Sequence, residues 1–365
     1  MALSKVDLAN QVENQLPQNL VANNLPFRNI IINGDMSIAQ RATSATGLTG
    51  SGYNTCDRWR SQISSAGTWS QSQSTEVPSG QGFATSYKWD CTTADASLSA
   101  GDNIIFQQRV EAQFLQYLKK GTSNAESLTL SFWVRSNKTG TYIANLYDEN
   151  NRHISKAYTI SSADTWEKKT LTFAGDTTGA FGNDNNVGLY VQFFLAAGSN
   201  YTSGTLATSW ESYTAVNQAV GQVNLADNTA NEWYITGVQL EAGTTASDFE
   251  FLPYDVNLQR CQRYLLTFGN SNNFIGHFYA TNTALASIYF PNKLRADPTV
   301  SCTSLTNSIR VYSAGVLRNS STFADNGVTA EQGELYASVT GGTAGNALTA
   351  NINNGGFLLQ FDAEL

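Results

Sequence analysis

The stretch Trp233–Tyr264, WYITGVQLEAGTTASDFEFLPYDVNLQRCQRY, predicts both the fold of the chain and its division into two bodies. It opens with an alternating run whose apolar positions are Trp233, Ile235, Val238 and Leu240. Such alternation indicates a half-buried strand, and its slip at Thr236–Gly237 indicates a β-bulge. We therefore expect an interior strand here, with Trp233 in the core of the first body.

The residues that follow this strand predict a boundary. Turn residues occupy 243–247, Phe249 and Phe251 resume an extended alternation, and Pro253 ends it. Asp255 is then placed to cap a short helix. One stripe of that helix would carry Leu258, Cys261 and Leu265.

Composition favours strands and turns over long helices. Only 14% of the 365 residues are charged, against roughly 25% in an average soluble protein, and the polarity comes from Ser, Thr, Asn, Gln and Gly. Short alternating runs recur between Phe83 and Trp233 and again after residue 267. This pattern predicts an all-β protein: an antiparallel β-sandwich with a smaller β-rich C-terminal domain and short helices only.

The predicted boundaries follow from these runs. Residues 1–26 form an N-terminal arm, 27–254 the sandwich, 255–266 a helical connector and 267–365 the C-terminal β domain. Within the sandwich, Trp133 is expected in the core beside Trp233. Val110, Phe114 and Leu118 recur at helical spacing, which predicts a helix over Val110–Lys120.

Charge and cysteine usage exclude several functional classes. A net charge of −8 and the absence of Lys/Arg clusters argue against nucleic-acid binding. No run approaches the roughly 20 apolar residues of a membrane span. The four cysteines form no C-x-x-C pair, and no hydrophobic run near the N-terminus resembles a signal peptide, so we expect reduced thiols and synthesis in a cytoplasm.

Catalytic and metal-binding motifs are missing from the sequence. His153 and His277, the only histidines, fall in different predicted bodies, which argues against a His-based metal site or a Ser-His triad. Scattered carboxylates leave a glycosidase possible in principle: Asp90, Asp95, Asp102, Glu111 and Glu211. The oxygen-rich cluster Asp176, Asn183, Asp184 and Asn185 has no Ca²⁺-loop spacing and is interpreted as a turn. We expect no catalytic residue, metal or cofactor.

The long polar loop 198–230 is the candidate ligand site. It carries Tyr201, Trp210 and Tyr213 among short amide and hydroxyl side chains. Aromatic rings can pack on the apolar face of a pyranose while polar groups bind its hydroxyls. These three residues are therefore the predicted saccharide contacts.

Several separated motifs resemble a family of bacteriophage tail-fibre and minor virion proteins. They are INGDMSIAQR at 32–41, Asp57-Arg58-Trp59, VQLEAG at 238–243, Phe249-Glu250, Cys261-Gln262-Arg263-Tyr264, Phe290-Pro291 and LRADPT at 294–299, where Leu294 stands in place of the usual Met. The order of strands and turns also resembles jelly-roll carbohydrate-binding modules. The resemblance covers most of residues 27–300.

This resemblance implies a structural virion protein, most directly a tail fibre that recognises a glycan on the host surface. A capsid decoration or head fibre is one alternative, and a glycan-degrading tailspike enzyme is another. The absence of a solenoid repeat weakens the enzyme alternative. The protein would then reside in the virion after assembly in the bacterial cytoplasm.

Two partner surfaces are predicted. The arm, through Val6, Leu8 and Val12, would attach to other virion proteins, although a frayed terminus explains the same residues. The stripe of Leu258, Cys261 and Leu265 would begin the contact of a homotrimer formed through residues 255–365. Fibres of this family are commonly trimeric, and a small body of short apolar strands needs cover. Packing of that body within one chain is the alternative.

Overall fold

The computed structural model describes residues 27–269, 272–302, 309–352 and 359–365. Contacts within the chain divide it into two compact units, the first ending at Leu252 and the second beginning at Pro253. The predicted attachment residues Val6, Leu8 and Val12 lie outside the described residues, and their role stays a prediction. No helix within the described ranges has the length and apolar character that crossing a bilayer requires.

The first unit is a two-sheet antiparallel sandwich of the jelly-roll type. Its strands are β1 (Ser44–Leu48), β2 (Gly52–Tyr53), β3 (Arg60–Ser64), β4 (Thr68–Ser74), β5 (Ser86–Thr93), β6 (Asn103–Glu111), β7 (Leu128–Ser136), β8 (Gly140–Asp148), β9 (Arg152–Ile160), β10 (Glu167–Phe173), β11 (Val187–Ala197), β12 (Glu211–Ser212) and β13 (Glu232–Ala242). Sheet 1 has the order β1-β4-β5-β13-β7-β10, and sheet 2 the order β12-β9-β8-β11-β6-β3-β2. The predicted all-β sandwich is confirmed.

Helical segments in this unit are short. They are the 3₁₀ helices Ala112–Leu118, Ala215–Asn217 and Leu225–Asp227, and the α-helix Ser199–Thr202. The predicted helix over Val110–Lys120 is wrong at its start, because Val110 belongs to β6. The helical stripe is wrong as well: Leu115 is buried, while Phe114 is 45% exposed. A 3₁₀ helix has three residues per turn. The four-residue spacing of Val110, Phe114 and Leu118 therefore does not follow its buried face.

Strand β13 is the centre of sheet 1, as the alternating run predicts. It pairs with β5 on one side and with β7 on the other, and its register with β7 shifts between Thr236 and Gln239. Gly237 in the shift has φ +61°, and a Cβ there would lie 2.5 Å from Cζ of Phe83. The bulge therefore needs glycine for both its backbone angle and its packing.

The core lies between the two sheets. Trp233 is fully buried, with its ring centroid 5.9 Å from that of Phe106 and 6.3 Å from that of Phe193 in sheet 2. The prediction that Trp133 joins this core is wrong: Trp133 is half-buried. Phe132 takes the buried position instead, since neighbouring residues of a strand point to opposite faces.

A first hydrogen-bonded cluster holds the segment before β1 in place. Asn33 has φ +58° and uses its side chain twice on Ile38, accepting from the backbone N–H and donating to the carbonyl, each at 2.9 Å. The same amide donates to the carbonyl of Asp57 at 2.9 Å. Trp59 Nε1 donates to the carbonyl of Asn33 at 2.9 Å. The NGDM and DRW motifs thus pack as one buried structural element.

A second hydrogen-bonded cluster joins this segment to β13. Asn29 Nδ2 donates to the carbonyl of Val238 at 3.1 Å, and its Oδ1 accepts from the N–H of Leu240 at 3.1 Å. Glu250 Oε2 accepts from the N–H of Asn29 at 2.9 Å, and the N–H of Glu250 donates to Gln239 Oε1 at 2.9 Å. The motifs VQLE and FE therefore close the unit by joining its two ends.

The second unit is also β-rich. Its helix Tyr254–Gln262 precedes strands β14 (Leu265–Phe268), β15 (Asn273–Ala280), β16 (Thr283–Tyr289), β17 (Thr299–Cys302), β18 (Ile309–Ser313), β19 (Val316–Asn319), β20 (Thr322–Asp325), β21 (Gln332–Ser338), β22 (Ala347–Ile352) and β23 (Leu359–Asp362). Sheet 3 has the order β14-β23-β17, and sheet 4 the order β19-β18-β22-β15-β16-β21-β20.

The helical stripe predicted after Pro253 is shorter than expected. The helix ends at Gln262, and Leu265 lies in β14. Asp255 stands in the first turn, and Pro253 occupies the cap position. Cys261 and Leu265 are fully buried within the chain, whereas Leu258 is partly exposed. Two of the three residues predicted as oligomer contacts are thus buried within the chain, and the contact itself stays a prediction.

We expect Trp233→Ala to lower the free energy of unfolding of the first unit by about 3–5 kcal/mol, because it leaves a large cavity between the sheets. Trp133→Ala is the matched control and should cost clearly less, since Trp133 is already half in solvent. Urea unfolding of the full chain, followed by tryptophan fluorescence, measures both. Equal losses for the two variants would contradict the assignment of the core.

Candidate binding site

The outer face of sheet 2 presents its side chains away from the core. One part of this face is covered by the loop that follows β11. Phe194, Ile143 and Ile105 are buried there in a small apolar cluster with Ala219, and Tyr201 packs against it. The remaining part of the face, here called the open part, has partly exposed side chains at Arg109, Tyr147 and Tyr190, whereas Gln107, Gln192 and Asn145 beside them are buried.

A row of aromatic rings crosses the open part. The strand register places Arg109 beside Tyr190, Tyr190 beside Tyr147, and Tyr147 beside His153. The ring centroid of Tyr147 lies 5.2 Å from that of Tyr190 and 5.2 Å from that of Tyr213. We call Tyr190, Tyr147 and Tyr213 the tyrosine row.

A second row, of amides, runs parallel to the first. Register places Gln107 beside Gln192, and Gln192 beside Asn145. Gln192 Nε2 donates to Gln107 Oε1 at 2.8 Å, and Asn145 Nδ2 donates to Ser155 Oγ at 2.9 Å. We call Gln107, Gln192 and Asn145 the amide row.

Two acceptor atoms of the amide row lack a protein donor. Oε1 of Gln192 and Oδ1 of Asn145 are buried, and no group among the described residues donates to either atom. Leaving a buried carbonyl-type oxygen without a donor costs about 1–3 kcal/mol. Asn145 is fully buried and Gln192 is 7% exposed, so these two acceptors lie beneath the surface of the face.

His153 anchors the covering loop beside these rows. Its Nε2 lies 3.3 Å from Oε1 of Glu211, and Asn217 Nδ2 donates to the same oxygen at 2.8 Å. Burial lowers the pKa of His153, and the negative charge of Glu211 works against that shift. The imidazole of His153, which supports the tyrosine row and the loop, is therefore predominantly neutral at neutral pH.

The structure separates the three predicted saccharide contacts. Tyr213 belongs to the tyrosine row, and burial raises the pKa of its phenol, helped by the phenols of Tyr201 and Tyr147. Tyr201 accepts a hydrogen bond from Asn103 Nδ2 at 3.1 Å and packs on the apolar cluster.

Trp210 has a different environment from the two tyrosines. Its Nε1 donates to the carbonyl of Ala174 at 2.7 Å, and the Lys120 ammonium lies 5.9 Å from its ring centroid. Trp210 is partly buried against the main core. Its ring is therefore occupied within the protein, and only Tyr213 of the predicted set joins the site.

The oxygen-rich segment near Asp176 serves an ion-pair network. Arg152 Nε and Nη2 donate to the two carboxylate oxygens of Asp176 at 2.7 and 3.0 Å. Lys120 Nζ lies 2.7 Å from Oδ2 of Asp148 and 3.3 Å from Oδ2 of Asp176. Burial alone would raise the pKa of Asp176, but the Arg152 hydrogen bond and Lys120 lower it overall. Throughout the described ranges, no three His, Cys, Asp or Glu side chains are grouped as metal ligands.

The second unit carries a separate exposed apolar surface. On sheet 4, Ile275 is 79% exposed, Tyr279 71% and Tyr289 76%. An open depression of about 690 Å³ lies there, lined in part by Phe268, His277 and Tyr289.

Comparison with known proteins gives structural similarities only. No protein-family model and no curated protein matches the chain. Among solved structures, the enzymatically active domain of bacteriophage CBA120 tailspike protein 4 is 14% identical with a TM-score of 0.32, and the match covers 60% of this chain and 22% of that one.

Two carbohydrate-binding modules are similar over most of their own length. TmCBM61 in complex with β-1,4-galactotriose is 12% identical with a TM-score of 0.30, over 59% of this chain and 99% of that one. A family 11 module from Clostridium thermocellum, in complex with a β-1,3-1,4-mixed-linked tetrasaccharide, is 10% identical with a TM-score of 0.25, over 58% and 99%. Likeness at this level identifies neither a ligand nor an activity for this chain.

Proposed function

We propose that the first unit binds a glycan on the open part of the outer face of sheet 2, through the tyrosine row. The observation that carries this proposal is the row of partly exposed rings, in which the ring centroid of Tyr147 lies 5.2 Å from that of Tyr190 and 5.2 Å from that of Tyr213. Neighbouring ring faces suit a sugar, because a pyranose has apolar C–H faces that pack on aromatic rings.

Binding without bond cleavage is the role that these groups support. The partly exposed groups on this face are the phenols of Tyr147 and Tyr190 and the guanidinium of Arg109, which can hold a hydroxylated ligand but do not supply the two carboxyl groups of a glycosidase. Glu211, beside this face, is engaged by His153 and Asn217. The proposal is therefore a recognition protein.

The binding test uses the full chain on an array of bacterial surface polysaccharides. Replacing Tyr147 and Tyr190 together by Ala should weaken binding on the order of tenfold or more, because the ring faces are lost. Tyr117→Ala is the control, since Tyr117 is 49% exposed in the 3₁₀ helix Ala112–Leu118. Unchanged urea midpoints would show that all variants fold.

Two results would count against this assignment. Undiminished binding by the double variant would remove the face from consideration. Release of shorter saccharides from the arrayed polysaccharide would favour the glycan-degrading alternative.

We further propose that the chain is a virion appendage of a bacteriophage, most directly a tail fibre. The support is the ordered set of motifs from INGDMSIAQR to LRADPT. In the first unit these motifs form the two hydrogen-bonded clusters. We therefore interpret the motifs as the signature of a shared way of closing the sandwich.

Gold-labelled antibodies against the chain should decorate the tails of intact phage particles in electron micrographs. The reason is that a fibre that presents a glycan site must stand outside the particle. Labelling on the head would favour the capsid-decoration alternative, and particles without label would refute the virion role.

We also propose that the protein is a homotrimer assembled through the second unit. Its support is the exposed face of sheet 4, where Ile275, Tyr279 and Tyr289 all stand on the adjacent strands β15 and β16. Large exposed apolar patches mark protein contacts, and a closed ring of copies would cover this one without leaving an adhesive surface.

Light scattering should give three times the mass of one chain, and Ile275→Asp with Tyr289→Asp should give the monomer, because buried charges disfavour the contact. Tyr254→Asp is the control, since Tyr254 is 64% exposed on the helix of the same unit. A monomeric parent at micromolar concentration would refute the trimer. A trimer that survives the double substitution would place the contact elsewhere.

A further inference from the structure

The imidazole of His153 lies beneath the covering loop, in contact with one ring of the tyrosine row. His153 is fully buried, and its ring centroid lies 5.6 Å from that of Tyr213. Tyr213 itself is 37% exposed. This tyrosine therefore joins the buried histidine to the surface where a glycan would bind.

The backbone around Tyr213 is held by two hydrogen bonds to β9 and the turn before it. The N–H of Tyr213 donates to the carbonyl of Asn151 at 2.8 Å, and the N–H of Thr214 donates to Nε2 of His153 at 3.3 Å. Glu211, two residues before Tyr213, pairs with His153 where β12 meets β9. The position of the Tyr213 ring therefore depends on the hydrogen bonds that the histidine can form.

Both nitrogens of the His153 ring face hydrogen-bond donors. Nε2 faces the N–H of Thr214, and Nδ1 lies 3.4 Å from Nδ2 of Asn145. A neutral imidazole has one nitrogen that accepts a hydrogen bond, whereas an imidazolium has none. A second proton on this ring would therefore place an N–H against both donors and remove the acceptor that the neutral ring supplies.

One charged group beside the ring acts in the opposite direction. Oε1 of Glu211 lies 3.3 Å from Nε2, and it would form an ion pair with a charged ring. The other titratable groups beside the ring are the phenols of Tyr147 and Tyr213. Burial raises the pKa of both phenols, so neither titrates between about pH 5 and 8. Burial lowers the pKa of His153 despite Glu211, so this environment favours the neutral ring.

We propose that His153 is a positioning residue for the glycan site, and that its protonation in mild acid displaces Tyr213 and weakens glycan binding. This inference rests on the proposed glycan-binding function and adds a control of that site by pH. The charged ring would attract Glu211 and break the hydrogen bond from Thr214. The segment between these two residues carries Tyr213, so its ring would leave the row.

The direction of the pH dependence follows from the linkage between protonation and binding. The apparent affinity is reduced by the fraction of chains in which His153 is charged. Since burial lowers the pKa of His153, the loss of affinity begins below about pH 6.5. A single proton limits the fall to about tenfold per pH unit. Stability has the same sign: it is fully present above the pKa of an unfolded histidine and is lost as the pH falls toward that of the folded one.

The test repeats the array of bacterial surface polysaccharides with the full chain at about pH 7.5, 6.5 and 5. Binding by the parent should be strongest at the highest pH and about threefold or more weaker at the lowest. His153→Gln should lose this pH dependence, because its side chain does not titrate. His277→Asn is the control and should keep the profile of the parent, since His277 is the only other histidine and lies in the second unit.

A second variant gives a result that a merely structural role of His153 does not produce. Glu211→Gln keeps an oxygen for the side chain of Asn217, but it removes the charge that raises the pKa of His153. The acid loss of binding should therefore shift to lower pH, whereas damage to the loop alone would weaken binding equally at every pH. Urea midpoints verify folding, and Glu211→Gln decides the inference by itself if His153→Gln does not fold.

Three results overturn the inference. Equal binding by the parent at the highest and lowest pH leaves the glycan site intact but removes its control by His153. An acid loss that persists unchanged in His153→Gln, or disappears in His277→Asn, assigns the titration to another group. Absence of binding at every pH refutes the proposed glycan site, and the control by His153 with it.

Discussion

The first unit depends on the hydrogen bonds that join its beginning to its end. Asn29 completes the hydrogen bonding of β13 by bonding to both Val238 and Leu240, and Glu250 holds the backbone of Asn29 in turn. Arg28 adds charge beside this contact, with Nη1 3.9 Å from Oε1 of Glu250. Because these groups are buried or nearly so, each one that lost its partner would leave another unsatisfied in a low-dielectric interior.

The sequence predicted the fold well where one physical signal dominated. The alternation from Trp233 to Leu240 indicated the central strand, and the slip at Thr236–Gly237 indicated its bulge, because a two-residue period has one interpretation. The segment around Val110 was predicted wrongly, since its spacing suits a helix although β6 continues through Glu111. The position of Trp133 was predicted wrongly because the preference of tryptophan for the core was given more weight than the alternation of faces along the strand. That alternation assigns the core position to Phe132.

The candidate site was harder to predict than the fold. The sequence predicted the site in the loop 198–230, yet two of the three rings of the candidate site, Tyr147 and Tyr190, lie within strands. A signal existed in the runs NLYD and LYVQF, where polar or amphipathic residues alternate with fully apolar ones in strands that are otherwise buried. That signal could not be interpreted from one strand alone, since only the register of β6, β11 and β8 brings the residues together.

The place of β13 in sheet 1 also constrains how the chain can fold as it is made. β13 comes last of the strands of the first unit, yet it is inserted between β5 and β7 and is fastened to residues near position 29. Contacts of such long sequence separation give a high contact order, which slows folding because a long loop must close before its contacts form. During synthesis, the edges of β5 and β7 that pair with β13 therefore stay unpaired until Glu250 has left the ribosome. A chain interrupted before Trp233 would lack the strand that unites sheet 1, and two unpaired edges would remain free to aggregate.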